Sequence, residues 1–246
     1  NIVEMLHRQG RMHPSICEFV NRNYYNGGLD AVPLPHQQEP LAFGTRPDDD
    51  RWTAFVAGTR MAFISVQADE AEYYTKIESK QEQTKLAQGL PNVGDSSKSN
   101  KREAETVARL IHTLCQLYSR SGIPFSPCKQ IGIIVPFRAQ IAMIRKALAE
   151  RHIPDTADIT IDTVERYQGS QRDIIIFSTT VSRPYQLSIL SEPIMTDGRE
   201  IDRKLNVALT RARKQFFMTG NETLLRNCTA YREFLDFLSK EQILRL

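Results

Sequence analysis

Long apolar runs are absent. Nowhere do about 18 apolar residues follow one another, so no membrane-spanning helix is expected. Cysteine is scarce. Cys17, Cys115, Cys128 and Cys228 form no C-x-x-C pair, and the five histidines have no metal-ligand spacing. Neither a zinc site nor a disulfide framework has support, and buried free thiols in a reducing compartment are expected. No signal peptide is visible, and a cytoplasmic location is expected. Charge of one sign is also lacking: 32 Lys and Arg face 29 Asp and Glu, a formal net charge of +3. That balance only weakly favours a nucleic-acid partner. The chain has no G-x-x-x-x-G-K-[ST] loop, no Asp-Glu pair closing an apolar strand and no nucleophile elbow. It opens on Asn1 without an initiator Met, so a piece of a longer polypeptide is expected.

What is present suits a globular α/β domain. The chain has 246 residues, 41% of them hydrophobic, enough for a substantial core. Pro14 opens a helix with an apolar stripe at Ile16, Phe19, Val20 and Tyr24, and Gly27-Gly28 stops it. Residues 30–60, rich in Pro, Asp and Gly, read as a surface connection. Met61 to Val66 reads as a strand. Residues 69–101 are dominated by Glu, Gln, Lys and Ser and read as a polar, flexible insertion. Asn100 caps a helix from Arg102 to about Ser119, with Glu103 supporting the cap. Ile131–Val135, Ile159–Asp162 and Asp173–Thr179 read as strands, with a helix from Phe137 to Glu150 among them. A loop follows over 183–198. From Arg199, apolar residues at Ile201, Leu205, Ala208, Leu209 and Ala212 give a helix that runs into a short strand at Gln215–Thr219. Arg203, Lys204, Thr210 and Arg211 lie opposite that stripe, and guanidinium groups so placed suit phosphate binding. A last helix covers about Tyr231 to Leu238. Strands alternating with helices predict a mostly parallel sheet with helices on both faces, and ligands at the carboxyl ends of the strands.

Four stretches occur in one order: Q-x-R-M-H-P (Gln9 to Pro14), V-P-F-R-A-Q (Val135 to Gln140), T-V-x-x-x-Q-G-x-x-R-D (Thr163 to Asp173) and L-N-V-A-L-T-R-A-R (Leu205 to Arg213). Together they resemble the second, C-terminal RecA-like motor domain of superfamily 1 helicases. The wording is nearest the subgroup that holds the nonsense-mediated-decay RNA helicases and the replication helicase-nucleases. The resemblance covers nearly the whole chain and implies one RecA-like, three-layer α/β/α domain over 1–246.

It also implies partners and roles. ATP and Mg would be held mainly by a first RecA-like domain of the same polypeptide, and single-stranded DNA or RNA would lie across both. Arg211 resembles the arginine finger, and Arg11 a second contact to the γ-phosphate. Gln9, Gln168, Gly169 and Gln171 fall where the family meets the nucleotide. Thr163, Pro136, Phe137 and Arg138 fall where it meets nucleic acid, with Phe137 either stacking on a base or starting its helix as a core residue. The implied activity is 5′ to 3′ translocation and unwinding. Two positions depart from the pattern: Gly10 stands where the family commonly has Tyr, and Gln171 where it often has Glu. These departures are the best support for an alternative, a non-catalytic nucleic-acid-binding or scaffold module.

Overall fold

The computed structural model describes residues 7–67, 98–167, 169–196 and 198–246. The elements run β1 (Arg8–Gln9), α1 (Pro14–Tyr24), β2 (Asp30–Ala31), α2 (Pro35–Gln38), α3 (Arg51–Gly58) and β3 (Met61–Ser65). Next come α4 (Lys101–Arg120), α5 (Pro127–Gln130), β4 (Ile131–Val135), α6 (Arg138–Glu150), β5 (Thr160–Thr163) and β6 (Arg172–Ser178). The chain then forms α7 (Leu187–Leu190), β7 (Pro193–Thr196), β8 (Arg199–Asp202), α8 (Arg203–Thr210), β9 (Ala212–Gly220), α9 (Glu222–Leu225), α10 (Thr229–Phe237) and β10 (Ile243–Arg245). Most of the polar stretch 69–101 lies outside the described residues, apart from 98–101 at the entrance to α4.

Six strands form the central sheet in the order β10-β3-β9-β6-β4-β5, and every neighbouring pair is parallel. Their apolar residues divide by strand parity, because successive side chains point to opposite faces. Ala62, Ile64, Ile131, Ile133, Ile174, Ile176 and Phe217 pack with α3, α4 and α6 on one face. Met61, Phe63, Ile134, Ile175, Phe177, Phe216 and Met218 pack with α1, α8 and α10 on the other. This is the expected three-layer α/β/α arrangement, and burial on both faces explains why β3 and β4 read as unbroken apolar runs.

Three local expectations are corrected. The connection 30–60 contains α3, whose Trp52, Phe55, Val56 and Ala57 enter the core. Asp50 Oδ1 caps it by accepting from Thr53 N at 2.6 Å, and Trp52 Nε1 donates to Thr113 Oγ1 at 2.8 Å. Flanking polar residues hid so short an apolar segment. The helix expected from Arg199 begins only at Arg203. Ile201 lies on β8, which pairs antiparallel with β7 around Gly198 at φ +76°. Asp202 ends the strand and caps α8, its Oδ1 accepting from Leu205 N at 2.6 Å. Ala212, assigned to the helix face, already belongs to β9, where it pairs with Arg172 of β6. Among the cysteines, Cys17 is buried and Cys115, Cys128 and Cys228 are partly exposed; all four are free.

The connection from β5 to β6 passes over β4, and this crossing depends on Gly132. A Cβ there would sit 1.8 Å from Tyr167 Oη and 2.7 Å from its Cζ. Tyr167 is 1% exposed, and its hydroxyl has no partner among the described residues. Gly132→Ala therefore forces the turn off the sheet and should destabilise the domain by about 1–3 kcal/mol or more in denaturant unfolding. Adding Tyr167→Phe should recover only part of the loss, because the ring carbon also collides.

Candidate nucleotide and nucleic-acid edges

The expected site residues separate onto two edges of the sheet. Gln9, Arg11, Gln171 and Arg211 meet at the amino-terminal ends of β6 and β9. Thr163, Pro136, Phe137 and Arg138 lie at the carboxyl ends of β5 and β4. The expectation that Pro136–Gln140 and Thr163–Gln171 both sit at the carboxyl ends is corrected for the second stretch: the segment from Thr163 to Gln171 starts on one edge and ends on the other.

At the amino edge, Arg11 is held by two neutral acceptors. Its Nε donates to Gln171 Oε1 at 2.9 Å, and its Nη1 donates to the Thr210 carbonyl at 2.9 Å. Thr210 ends α8, so this bond brings Arg11 beside Arg211, 200 positions later in the chain. Arg211 is half-buried, and its Nε is buried without a partner among the described residues. Burial, and then the charge of Arg11, hold the Arg211 guanidinium below its ordinary pKa. The nearest acid on β6 is engaged elsewhere: Asp173 pairs with Arg213 at 3.3 Å and with Lys214 at 3.8 Å. Among the described residues, the edge therefore presents two arginines to each other with no carboxylate between them.

The Arg11 loop is built to hold that position. Gln9 Oε1 accepts from Arg11 N at 2.9 Å and from Met12 N at 2.7 Å, while its Nε2 donates to Met12 O at 3.0 Å. The amide of Gln9, a residue expected at the nucleotide, also shapes this turn. His13 caps α1 by accepting from Ser15 N at 3.2 Å, and its backbone N donates to Arg213 O at 2.9 Å. Burial, aided by the charge of Arg60, lowers its pKa to about 4, so the ring is neutral at pH 7. Gln171, expected at the ribose, orients Arg11. Gly169 has φ +85° and open space around a would-be Cβ, so backbone conformation alone explains the glycine there. Gln168 lies outside the described residues.

At the carboxyl edge, Arg138 is exposed in the first turn of α6 and Pro136 is partly exposed. Phe137 is 5% exposed and precedes α6 as a core residue, so its ring has no face open to a base; the stacking expectation is corrected. Thr163 is nearly buried. Its side chain bonds Glu165, which Lys204 approaches at 3.2 Å.

The residue missed from sequence is Glu103. Its spacing from Asn100 predicts support for the helix cap, and Asn100 does cap α4 by accepting from Glu103 N at 3.0 Å. The Glu103 carboxyl group turns inward instead, fully buried, and burial raises its pKa to about 7 against the hydrogen bonds that favour the charged form. A signal existed: Glu103 lies in register with the stripe Val107, Leu110, Ile111 and Leu114, on the buried face of the helix.

An AAA-domain family model matches residues 1–223. The chain belongs to the AAA-domain family of superfamily 1 helicases. It is 29% identical over 233 residues to the DNA polymerase alpha-associated DNA helicase A of Saccharomyces cerevisiae, covering 93% of this chain and 29% of that protein. It is 28% identical over 222 residues to the Regulator of nonsense transcripts 1 homolog of Arabidopsis thaliana, covering 88% and 14%. It is 27% identical over 247 residues to the 3′-5′ exoribonuclease HELZ2 of Mus musculus, covering 98% and 7%. The chain thus spans less than a third of the length of each of these relatives.

Among the described residues, no helix is long and apolar enough to cross a membrane, and no group of three or more His, Cys, Asp or Glu is placed to hold a metal.

Linkage at Glu103 has a definite sign. A carboxyl group whose pKa is raised on folding stabilises the fold below its unfolded value, near 4.5, and that contribution is lost as pH rises through about 7. Between those values the wild type should lose on the order of 3 kcal/mol relative to Glu103→Gln. Urea unfolding of both proteins at several pH values checks this; parallel stability curves would contradict it.

Proposed function

We propose that this chain is the second motor domain of an ATP-dependent helicase that moves 5′ to 3′ along single-stranded DNA or RNA. The observation that carries this reading is the pairing of Arg11 and Arg211 at one edge, with no carboxylate between them and a buried guanidinium N–H without a partner among the described residues. Like charges brought together at a partly buried edge are unfavourable unless an anion joins them. A nucleotide polyphosphate fits that requirement.

ATP, when bound, supplies the phosphoanhydride to be cleaved, and Mg is assigned with it to a first RecA-like domain of the same polypeptide. The residues of this chain supply charge and position. Arg211 acts as the finger that meets negative charge developing on the transferred phosphoryl group. Arg11 adds a second cation, kept in place by Gln171 and the end of α8. A neutral Gln171 orients Arg11 without neutralising it, which supports the motor reading over a non-catalytic scaffold. On the opposite edge, Arg138, Thr163 and the backbone at Pro136 contact the sugar-phosphate backbone, giving affinity without base preference.

In the full-length protein, Arg211→Ala should leave ATP affinity within about threefold and lower nucleic-acid-stimulated kcat by about 10³-fold or more. Wild-type turnover by that variant would overturn the assignment. The 246-residue chain alone should show no ATPase activity above background, because one half of the composite site lies elsewhere. Magnesium-dependent turnover by the purified chain, abolished by Arg211→Ala, would contradict this division of labour.

A further inference from the structure

The carboxyl ends of β6 and β9 close over a group that the nucleotide site does not use. Glu103 Oε2 accepts from Ser178 Oγ at 2.7 Å, from Thr219 Oγ1 at 3.0 Å and from Thr180 N at 3.1 Å. Ser178 and Thr219 face each other across the β6–β9 pair. Thr180 has φ +63°, a region that β-branched residues rarely enter, so its backbone is held there by its surroundings. The network continues sideways. Gln140 Nε2 donates to Ser178 Oγ at 3.3 Å and to Asn100 O at 3.0 Å, and Gln140 Oε1 accepts from Asn100 N at 2.7 Å. Gln140 lies in the first turn of α6, two residues after Arg138. One buried carboxyl group therefore joins the start of α4, the ends of two central strands, the strained turn after β6 and the helix terminus that carries the exposed arginine.

We propose that Glu103 is a positioning residue for nucleic-acid binding: it locks the turn at Thr180 and the first turn of α6 in the one relative arrangement that presents Arg138 to the sugar-phosphate backbone. This rests on the nucleic-acid reading of the carboxyl edge. Without an oxygen at the Oε2 position, two hydroxyls and one backbone N–H lose their acceptor in a site closed to water, and the turn at Thr180 loses its clamp. Gln keeps that oxygen; Met does not.

The test uses full-length protein, with anisotropy of labelled oligo-dT and oligo-U and with ATPase titrated against each. Glu103→Met should raise the nucleic-acid concentration for half-maximal stimulation tenfold or more, leaving KM for ATP and unstimulated turnover within twofold. Glu103→Gln should bind within twofold of wild type. Ser178→Ala and Thr219→Val each remove one donor at nearly constant volume and should weaken nucleic-acid binding about threefold, which keeps the test open should Glu103→Met not fold. The proposal is overturned if a folded Glu103→Met binds like wild type, if it raises both KM values alike, or if Ser178→Ala and Thr219→Val both bind like wild type. Arg138→Ala separates the two levels of inference. Weakened binding by Arg138→Ala alone sinks the Glu103 proposal and keeps the nucleic-acid reading. A wild type that binds neither oligonucleotide sinks both.

Discussion

A parallel sheet buried on both faces leaves polar chemistry only two places to go, the two ends of its strands. Ile131 to Val135 and Met61 to Ser65 have no side open to water, and unpaired polar groups there would be costly. Charged and hydroxyl side chains are therefore pushed to where strands begin or end. The amino ends of β6 and β9 gather Arg11, Gln171 and Arg211, while the carboxyl ends gather Arg138, Ser178, Thr180 and Thr219. On the proposed reading, one edge serves the nucleotide and the other the nucleic acid. The same rigid strands run between them.

The two edges solve opposite electrostatic problems. At the amino edge, cations approach each other, and the fold supplies neutral oxygens, from Gln171 and the Thr210 carbonyl, in place of acids. On the proposed reading, positive charge is kept there for an external anion. At the carboxyl edge, a single acid is enclosed and meets hydroxyl and amide donors in place of a cation. Burial without a counter-charge raises its pKa to about 7, so the cost of ionising it is only partly offset by those donors. The first arrangement is poised to bind, and the second to hold geometry.

Much of the fold was legible because parallel strands advertise themselves. Runs such as IGIIV and DIIIFS cannot be anything solvent-facing, and all of them became central strands. The misreadings occurred where local pattern and tertiary pairing compete. Ile201 and Ala212 satisfy helical spacing from Leu205, yet one pairs in a hairpin and the other in the sheet. The helix between them is set by the Asp202 cap and by strand register, neither of which enters a hydrophobic period. In the same way α3 is too short between its polar flanks to stand out, although Trp52 is a core residue under the Arg109 guanidinium.

By itself the sequence determined the architecture, the family pattern and which arginines could matter, because apolar periodicity and residue order survive in one dimension. Tertiary structure alone decided what each polar side chain does. Gln9 and Gln171, expected beside the nucleotide, also support the Arg11 loop; Phe137, expected as a stacking ring or a core residue, is core; Glu103, expected to support a cap, is a buried junction. For Gln171 and Glu103 the physical reason is sequence distance. A hydrogen bond is defined by partners that lie, for Arg11 and Thr210, 199 residues apart. No local spacing encodes that distance, and only the closing of the sheet brings such partners together.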